Sequence, residues 1–157
     1  MEANIQADST TERALQYTTQ FGEVSLREDK LISFAEGILG FADCTVFGLS
    51  AMPSEESSPF MLLQCVNDPE VVFLVSDPKI LGFEYTAEDK AEALNGTDLD
   101  ATTTEMLVIL RMHKQDDADS CHLTANIKAP ILIDSEARTG RQHIMTNAEY
   151  TTQQSVK

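Results

Sequence analysis

The chain has 157 residues, enough for one domain of ordinary size, and 42% of them are apolar, as in globular rather than disordered proteins. Twenty-six acidic residues against eleven basic ones give a formal net charge of −15. This charge argues against direct binding of nucleic acid, which needs a basic surface, and against binding to anionic membranes. It favours a basic protein as a partner, because opposite charges attract over a long range.

The three cysteines, Cys44, Cys65 and Cys121, cannot all pair with one another, and each lies in an apolar or strand-like run. We interpret them as buried, reduced thiols. No apolar run approaches the roughly 18 residues that a membrane span needs, and the polar, acidic N-terminus is unlike a secretory signal. A cytoplasmic protein is therefore expected.

Residues 1–16 show no sustained hydrophobic period, and they are predicted to form a flexible N-terminal tail. Val24 and Leu26 alternate with polar neighbours, which predicts a strand over residues 21–26. A second short strand over residues 31–34 is expected to pair with the first as a hairpin.

The sequence AEGILGF, residues 35–41, predicts a structured loop, because two glycines three residues apart permit positive φ angles or close backbone approach. Its apolar residues have two interpretations. Ile38, Leu39 and Phe41 either fold inward and close one end of a barrel, as apolar loop residues normally do, or form a surface for a partner.

Further apolar runs predict strands over residues 45–49, 60–66, 71–76, 106–112 and 141–145. The run at 71–75 is apolar throughout, which is typical of a central strand buried on both faces. A Ser- and Pro-rich loop over residues 50–59 and an acidic hairpin loop over residues 114–120 separate some of these strands.

One helix is predicted over residues 86–94. Thr86 suits the N-cap position, and Glu88 and Asp89 lie in the first turn, where the helix dipole favours acidic side chains. Ala87, Ala91 and Leu94 follow a helical spacing, and Gly96 stands where a C-cap is expected.

The sequence LTANIKAPILI, residues 123–133, alternates apolar and polar side chains until Pro130 removes a backbone donor. We predict two short strands, residues 121–128 and 131–134, joined by a bend at Ala129 and Pro130. The polar residues 146–157 are expected to form a flexible tail. The fold class is thus mainly β: a small barrel-like, strongly curled antiparallel sheet over residues 17–145 with one short helix.

Signatures of catalysis are absent from the sequence, which contains none of the common phosphate-binding, dinucleotide-binding, zinc-protease or serine-hydrolase motifs. Cys121 and His122 are adjacent, but neighbouring side chains on a strand point to opposite faces and cannot chelate one ion. The acids Asp116, Asp117 and Asp119 lack the glycine and distant glutamate of a calcium loop. We expect no enzyme activity, no cofactor and no metal, and an interaction protein is the default.

Several stretches, in order, resemble the FliW family of flagellar assembly factors. They are FGEVSL (residues 21–26), ISFAEGILGF (32–41), PFMLLQC (59–65), VVFLVSDP (71–78) and LTANIKAPILID (123–134). The resemblance spans about residues 18–145. The sequence departs from the family pattern at Leu39, where the family usually has Pro, and at Asp134, where it commonly has Asn.

The resemblance implies a non-enzymatic protein, monomeric when free, that binds the C-terminal helical region of flagellin. It also implies antagonism of the translational regulator CsrA, which relieves repression of flagellin mRNA. We expect the flagellin helix to lie in a groove between the loop with Ile38, Leu39 and Phe41 and the bend with Lys128, Pro130 and Ile131.

Inhibition of CsrA is expected to be electrostatic, through the acidic segments 54–58 and 114–120, the latter with Asp116, Asp117 and Asp119. The simpler alternative is that these charges serve only solubility. The alternative to the whole functional prediction is an enzyme or small-molecule carrier that uses the barrel interior.

Overall fold

The computed structural model describes residues 14–53, 58–114 and 121–156. Within these ranges the chain forms ten strands, one α-helix and two 3-10 turns, the latter at Glu28–Lys30 and Pro78–Leu81. The strands are β1 (Ala14–Thr19), β2 (Gly22–Arg27), β3 (Ile32–Ser33), β4 (Val46–Ala51), β5 (Met61–Cys65), β6 (Val72–Ser76), β7 (Thr104–Lys114), β8 (Cys121–Asp134), β9 (Thr139–Gln142) and β10 (Gln154–Val156); helix α1 spans Ala87–Leu94.

Seven strands form a closed barrel in the order β8, β7, β6, β5, β4, β3, β9, and the pairing of β9 with β8 completes the ring. The β3–β9 pair is parallel and the other six pairs are antiparallel. Strand β10 adds to β8 outside the ring, and β1 and β2 form a separate hairpin. The predicted class, a mainly β, barrel-like sheet with one helix, is confirmed.

The barrel strands are buried on both faces. Neighbouring residues such as Leu62 and Leu63, or Leu74 and Val75, belong to two different clusters because side chains alternate across a strand. One cluster fills the interior and includes Phe34, Phe47, Leu63, Val75, Leu107, Ile131 and Ile133. The other covers the outer face beneath the hairpin, helix α1 and the C-terminal segment, with Val24, Leu26, Leu62, Tyr85, Ala93, Leu132 and Met145.

Helix α1 begins where the sequence predicts. The Asp89 N–H donates to Thr86 Oγ1 at 3.0 Å, and the Thr86 N–H donates to Asp89 Oδ2 at 3.0 Å, which is a complete capping box. Ala93 is buried against the barrel. The helix ends at Asn95, and Gly96 follows with a φ of 78°.

Strand β2 pairs with β1 and not with β3, so the predicted hairpin of residues 21–26 with residues 31–34 is wrong. The turn between β1 and β2 is possible because Gly22 has a φ of 121°. Leu26 then packs on β4 at Gly48, where an added Cβ would lie 2.7 Å from Leu26 Cδ1. Strand β1 begins at Ala14, inside the predicted tail, and residues 1–13 of that tail lie outside the described residues.

Strand β8 is continuous, whereas two strands were predicted. Ile131 lies opposite Leu107 and Asn126 opposite Ile109, so Val108 alone faces residues 127–130. This bulge contains Pro130 and lies at the predicted bend. The strand is not interrupted, because its free backbone groups bond to the C-terminal segment: the N–H groups of Ile127 and Lys128 both donate to the Thr151 carbonyl.

The C-terminal residues differ from the flexible tail predicted over 146–157. Strand β10 pairs with β8 at residues 123–125, and Tyr150 packs edge-on against Phe83 and Tyr85. Polarity alone predicted a tail, but isolated apolar residues such as Tyr150 and Val156 pack on the outer cluster.

Gly37 and Gly40 are expected to differ as substitution sites, although both have positive φ angles, 68° and 85°. A Cβ at Gly37 would lie 2.6 Å from the Phe41 carbonyl oxygen, while a Cβ at Gly40 would meet nothing within 4 Å. We expect Gly40→Ala to lower the free energy of unfolding by about 1 kcal/mol from backbone strain alone, and Gly37→Ala by clearly more. Urea unfolding measures the free energy of unfolding of both variants. Equal losses of stability would contradict the crowding at Gly37.

Candidate functional site

The loop at residues 35–44 divides its apolar residues between core and surface. The Phe41 N–H donates to the Ile38 carbonyl at 2.6 Å and the Ile38 N–H donates back at 3.3 Å, which makes a tight bridge. Ile38 is 3% exposed and joins the interior cluster, whereas Leu39 is 61% and Phe41 40% exposed. Inward closure therefore describes Ile38, and surface presentation describes Leu39 and Phe41.

Phe41 also packs on strand β6. Its ring lies edge-on to Phe73 on β6, with the centroids 5.3 Å apart. Phe73 lines a groove of about 430 Å³ between the β1–β2 turn and strands β6 and β7. Polar and apolar groups share its exposed lining about equally, and its residues are Gln20, Phe21, Val72, Phe73, Leu74, Leu110, Arg111 and Met112.

Gln142 connects the loop to the bend. Its Oε1 accepts a hydrogen bond from the Leu39 N–H at 2.8 Å, and its Nε2 donates to the Ala129 carbonyl at 3.0 Å. The structure thus brings together the two segments that the sequence predicts as one site. Gln142 itself carries no sequence signal that would have identified it.

The bend lies beneath the C-terminal segment. Pro130 and Ile131 are buried, the Pro130 carbonyl accepts from the His143 N–H at 3.1 Å, and the Lys128 carbonyl accepts from the Met145 N–H at 2.7 Å. The Lys128 ammonium donates to the Asn147 carbonyl at 3.0 Å. Lys128 and Pro130 are thus bonded to the C-terminal segment and Ile131 packs in the interior cluster, whereas Leu39 and Phe41 are exposed.

Helix α1 holds the C-terminal segment through two carboxylates. Glu92 accepts hydrogen bonds from His143 Nε2 at 2.8 Å, from the Thr146 N–H at 2.9 Å and from Thr146 Oγ1 at 3.0 Å. The bonds from His143 and Thr146 lower the pKa of the Glu92 carboxyl. Asp89 accepts from the Tyr150 hydroxyl, and this bond, with burial, raises the pKa of Tyr150 to about 12.

The barrel interior is filled by side chains. Phe34 and Phe47 meet edge-on at its centre, with ring centroids 5.0 Å apart. The thiols of Cys44 and Cys65 are buried in the same cluster. Burial, followed by the hydrogen bond with Cys65, raises the pKa of Cys44 to about 12, which keeps it a protonated thiol at neutral pH. An interior binding site for a small molecule is therefore not favoured.

A second groove of about 370 Å³ lies on the outer face, between the turn Pro78–Leu81, helix α1 and strand β7. Its charged lining mixes both signs and contains neither histidine nor cysteine: Asp77, Lys79, Glu84, Lys90 and Glu105. Within the described ranges no cluster of three or more His, Cys, Asp or Glu residues is placed to hold a metal ion. No helix in the described part is long and apolar enough to span a membrane.

Asp134 has a structural role. Its carboxylate accepts from Thr103 Oγ1 at 2.7 Å, from the Asp100 N–H at 3.1 Å, and from the N–H groups of Glu136 and Ala137. The bonds from Thr103 and Asp100 contribute most to lowering its pKa. The acid at this position therefore organises the turn between β8 and β9.

The negative charge near the exposed loop comes from neighbouring turns. Asp43 and Asp68 both lie close enough to Cys44 to raise its pKa. The Asn67 Nδ2 joins their turns by donating to the Asp43 carbonyl at 2.6 Å. The other acidic residues predicted to act on a partner, Asp116, Asp117 and Asp119, lie outside the described residues, as does most of the segment 54–58.

Comparison with known proteins gives one consistent result. The family model described as FliW protein matches residues 15–156. The flagellar assembly factor FliW of Natranaerobius thermophilus is 33% identical over 132 residues, covering 84% of this chain and 85% of its own. The flagellar assembly factor FliW of Bacillus velezensis is 33% identical over 138 residues, covering 86% of this chain and 91% of its own. A crystal structure of the flagellar assembly factor FliW matches with a TM-score of 0.65 at 27% identity, covering 90% of this chain and 96% of its own.

Glu92 is expected to make stability depend on pH. Because its folded pKa lies below the ordinary value of 4.5, its contribution is present above that pH and is lost as the pH falls through the folded pKa. Glu92→Gln should therefore be less stable than the parent at pH 7, with a difference that shrinks below pH 4.5. Thermal melts at several pH values measure this, and Glu149→Gln, an exposed change in the same segment, should have little effect. A difference independent of pH would contradict the assignment.

Proposed function

The chain belongs to the FliW family of flagellar assembly factors, and we propose from this membership that it binds flagellin and antagonises the translational regulator CsrA in the cytoplasm. In this role it has no catalytic activity: it binds newly made flagellin, and it prevents CsrA from repressing flagellin mRNA.

The contrast between a filled interior and an exposed apolar loop supports a binding role. An enzyme or carrier of small molecules needs a concave site with converging polar groups, whereas the interior here is packed with aliphatic and aromatic side chains. Leu39 and Phe41 are left exposed although their loop is rigidly bonded. Exposed apolar side chains on a rigid scaffold are typical of protein interaction surfaces.

For flagellin, we propose that its C-terminal amphipathic helix lays its apolar face on the surface formed by Leu39, Phe41 and Phe73. Aromatic side chains are well suited as anchors, since they bury a large area with little loss of conformational entropy. Ile38 packs with Ile131 in the interior cluster on the core side of the loop, and Gln142 ties the loop to the bend.

For CsrA, we propose an electrostatic mechanism. An RNA-binding regulator attracts phosphates with basic patches, and a bound domain of net charge −15 lowers the potential there without covering the RNA site. Charges within about 8 Å, the Debye length at physiological salt, contribute most. Asp116, Asp117 and Asp119 are proposed as these charges.

Flagellin that lacks about its last forty residues is expected to lose binding, since that deletion removes the C-terminal helix. Phe41→Ser should weaken binding of intact flagellin by about tenfold or more, as loss of an aromatic anchor does. The matched control is Ile80→Ser, because Ile80 is 53% exposed but follows the opposite end of β6. Calorimetric titration measures the affinity in all three cases: truncated flagellin, Phe41→Ser and Ile80→Ser. Equal affinity for intact and truncated flagellin would exclude binding through the C-terminal helix.

Replacing Asp116, Asp117 and Asp119 with Asn is expected to weaken the inhibition of RNA binding by CsrA, and rising salt should weaken it too. Affinity between the two proteins should change little. RNA titrated against the preformed complex at low and high salt measures this. The control neutralises three exposed acids elsewhere, Glu84, Glu88 and Glu149, with the same change in net charge. Inhibition insensitive to salt and to both variants would indicate steric block instead.

A further inference from the structure

Two of the three histidines of the chain meet near the end of β7 and the start of β8. His113 on β7 pairs directly with His122 on β8, and their ring centroids lie 5.9 Å apart. Directly opposed residues of a β-ladder project their side chains from the same face of the sheet. Both imidazoles are only partly buried, so a small ion from solvent can reach them.

Each of the two rings is held by a hydroxyl group. His113 Nε2 lies 3.0 Å from Thr124 Oγ1, and His122 Nε2 lies 3.4 Å from Ser155 Oγ on β10. No hydrogen bond to a described residue engages the Nδ1 atom of either ring. A histidine that binds a metal ion through one ring nitrogen commonly donates its other N–H to an oxygen, which fixes the tautomer and the ring orientation. The two rings are therefore held as metal ligands are, each with one nitrogen to spare.

We propose that His113 and His122 together bind one divalent transition metal ion of the zinc class, through one ring nitrogen each. Zinc lies about 2.0–2.1 Å from an imidazole nitrogen, so one ion bridges two rings whose centroids are about 5–6 Å apart. Neutral imidazole suits Zn²⁺, Cu²⁺ and Ni²⁺, whereas Mg²⁺ and Ca²⁺ prefer oxygen ligands. Water completes the coordination, because the described residues supply no third His, Cys, Asp or Glu ligand to the pair.

The charges around the pair act in opposite directions. Arg111 precedes His113 by two residues, lies on the same face of β7 and repels a cation. The neighbouring strands β6 (VFLVS) and β10 (QSV) contribute no charged residue. The chain as a whole carries a net charge of −15, which attracts cations. Coordination by imidazole, rather than charge, is thus what selects the ion, and the site should distinguish zinc from magnesium.

This site differs from the sequence-based expectation of no metal. His113 and His122 are nine residues apart in the chain, a spacing that belongs to no common metal motif, and only the register of β7 on β8 places them side by side. A bound ion would link the two strands and stabilise the folded state. The proposal does not depend on the binding of flagellin or of CsrA.

Calorimetric titration of the full-length protein with zinc chloride, in the presence of excess magnesium to occupy carboxylate sites, tests the proposal. We expect one zinc ion to bind per chain. His113→Ala and His122→Ala should each weaken zinc binding by about tenfold or more, since each removes one of two protein ligands. Zinc should raise the melting temperature of the parent and not that of either variant. Melts without metal establish that all variants are folded.

Cys121→Ser and His143→Gln are the matched controls. Cys121 is the thiol next to His122 in the chain, and His143 is the third histidine, bonded to Glu92. Both variants should keep the zinc affinity of the parent. Arg111→Gln should bind zinc at least as tightly as the parent, because it removes a repelling charge. Acid should weaken zinc binding, since a protonated imidazole has no lone pair for a metal.

Four results would overturn the inference. Absence of saturable zinc binding by the parent below about 1 mM would show that the histidine pair is purely structural. Parent-like affinity in either histidine variant would show that the two rings do not share one ion. Loss of binding in Cys121→Ser would assign the ion to the thiol. Weaker binding by Arg111→Gln would show that the patch attracts an anion rather than a cation.

Discussion

The structure depends on a single long strand that changes its neighbours along its length. Strand β8 pairs with β7 from end to end, with β10 near its start and with β9 near its end, and the last of these pairings closes the barrel. The change is possible because residues 127–130 all stand opposite Val108, which bends the strand and increases its twist. Strand β9, which closes the barrel beyond this bulge, also carries Gln142, whose side chain bonds the loop at Leu39.

The bulge also explains why the C-terminal segment is ordered. A bulge leaves backbone donors and acceptors without ladder partners, and such groups are costly to bury unpaired. Thr151, Met145 and His143 provide those partners, while Glu92 and Asp89 hold the segment from the helix side. The C-terminal segment can therefore be polar and still hold a fixed position. Its backbone groups and its few aromatic side chains make the contacts with β8 and helix α1.

Closure of the barrel leaves an interior that is filled by side chains. Because both faces of the barrel strands are covered by the two clusters, most of the apolar surface of these strands is buried. Against that background the exposed Leu39 and Phe41, with Phe73 edge-on to Phe41, form a distinct feature. The acids Asp43 and Asp68 lie in turns close to this loop.

The sequence by itself determined the mainly β class, the capped helix, the glycine loop, the bend at Pro130 and the family, because each is encoded in residues close together in the chain. It named Leu39 and Phe41 within the loop but could not tell that Ile38 alone points inward. Only the tertiary structure decided that β2 pairs with β1, that residues 154–156 pair with β8, and that Phe73 and Gln142 contact the loop. The reason is physical: strand partners and surface neighbours are chosen by contacts between residues far apart in the chain, and the local pattern carries no record of them.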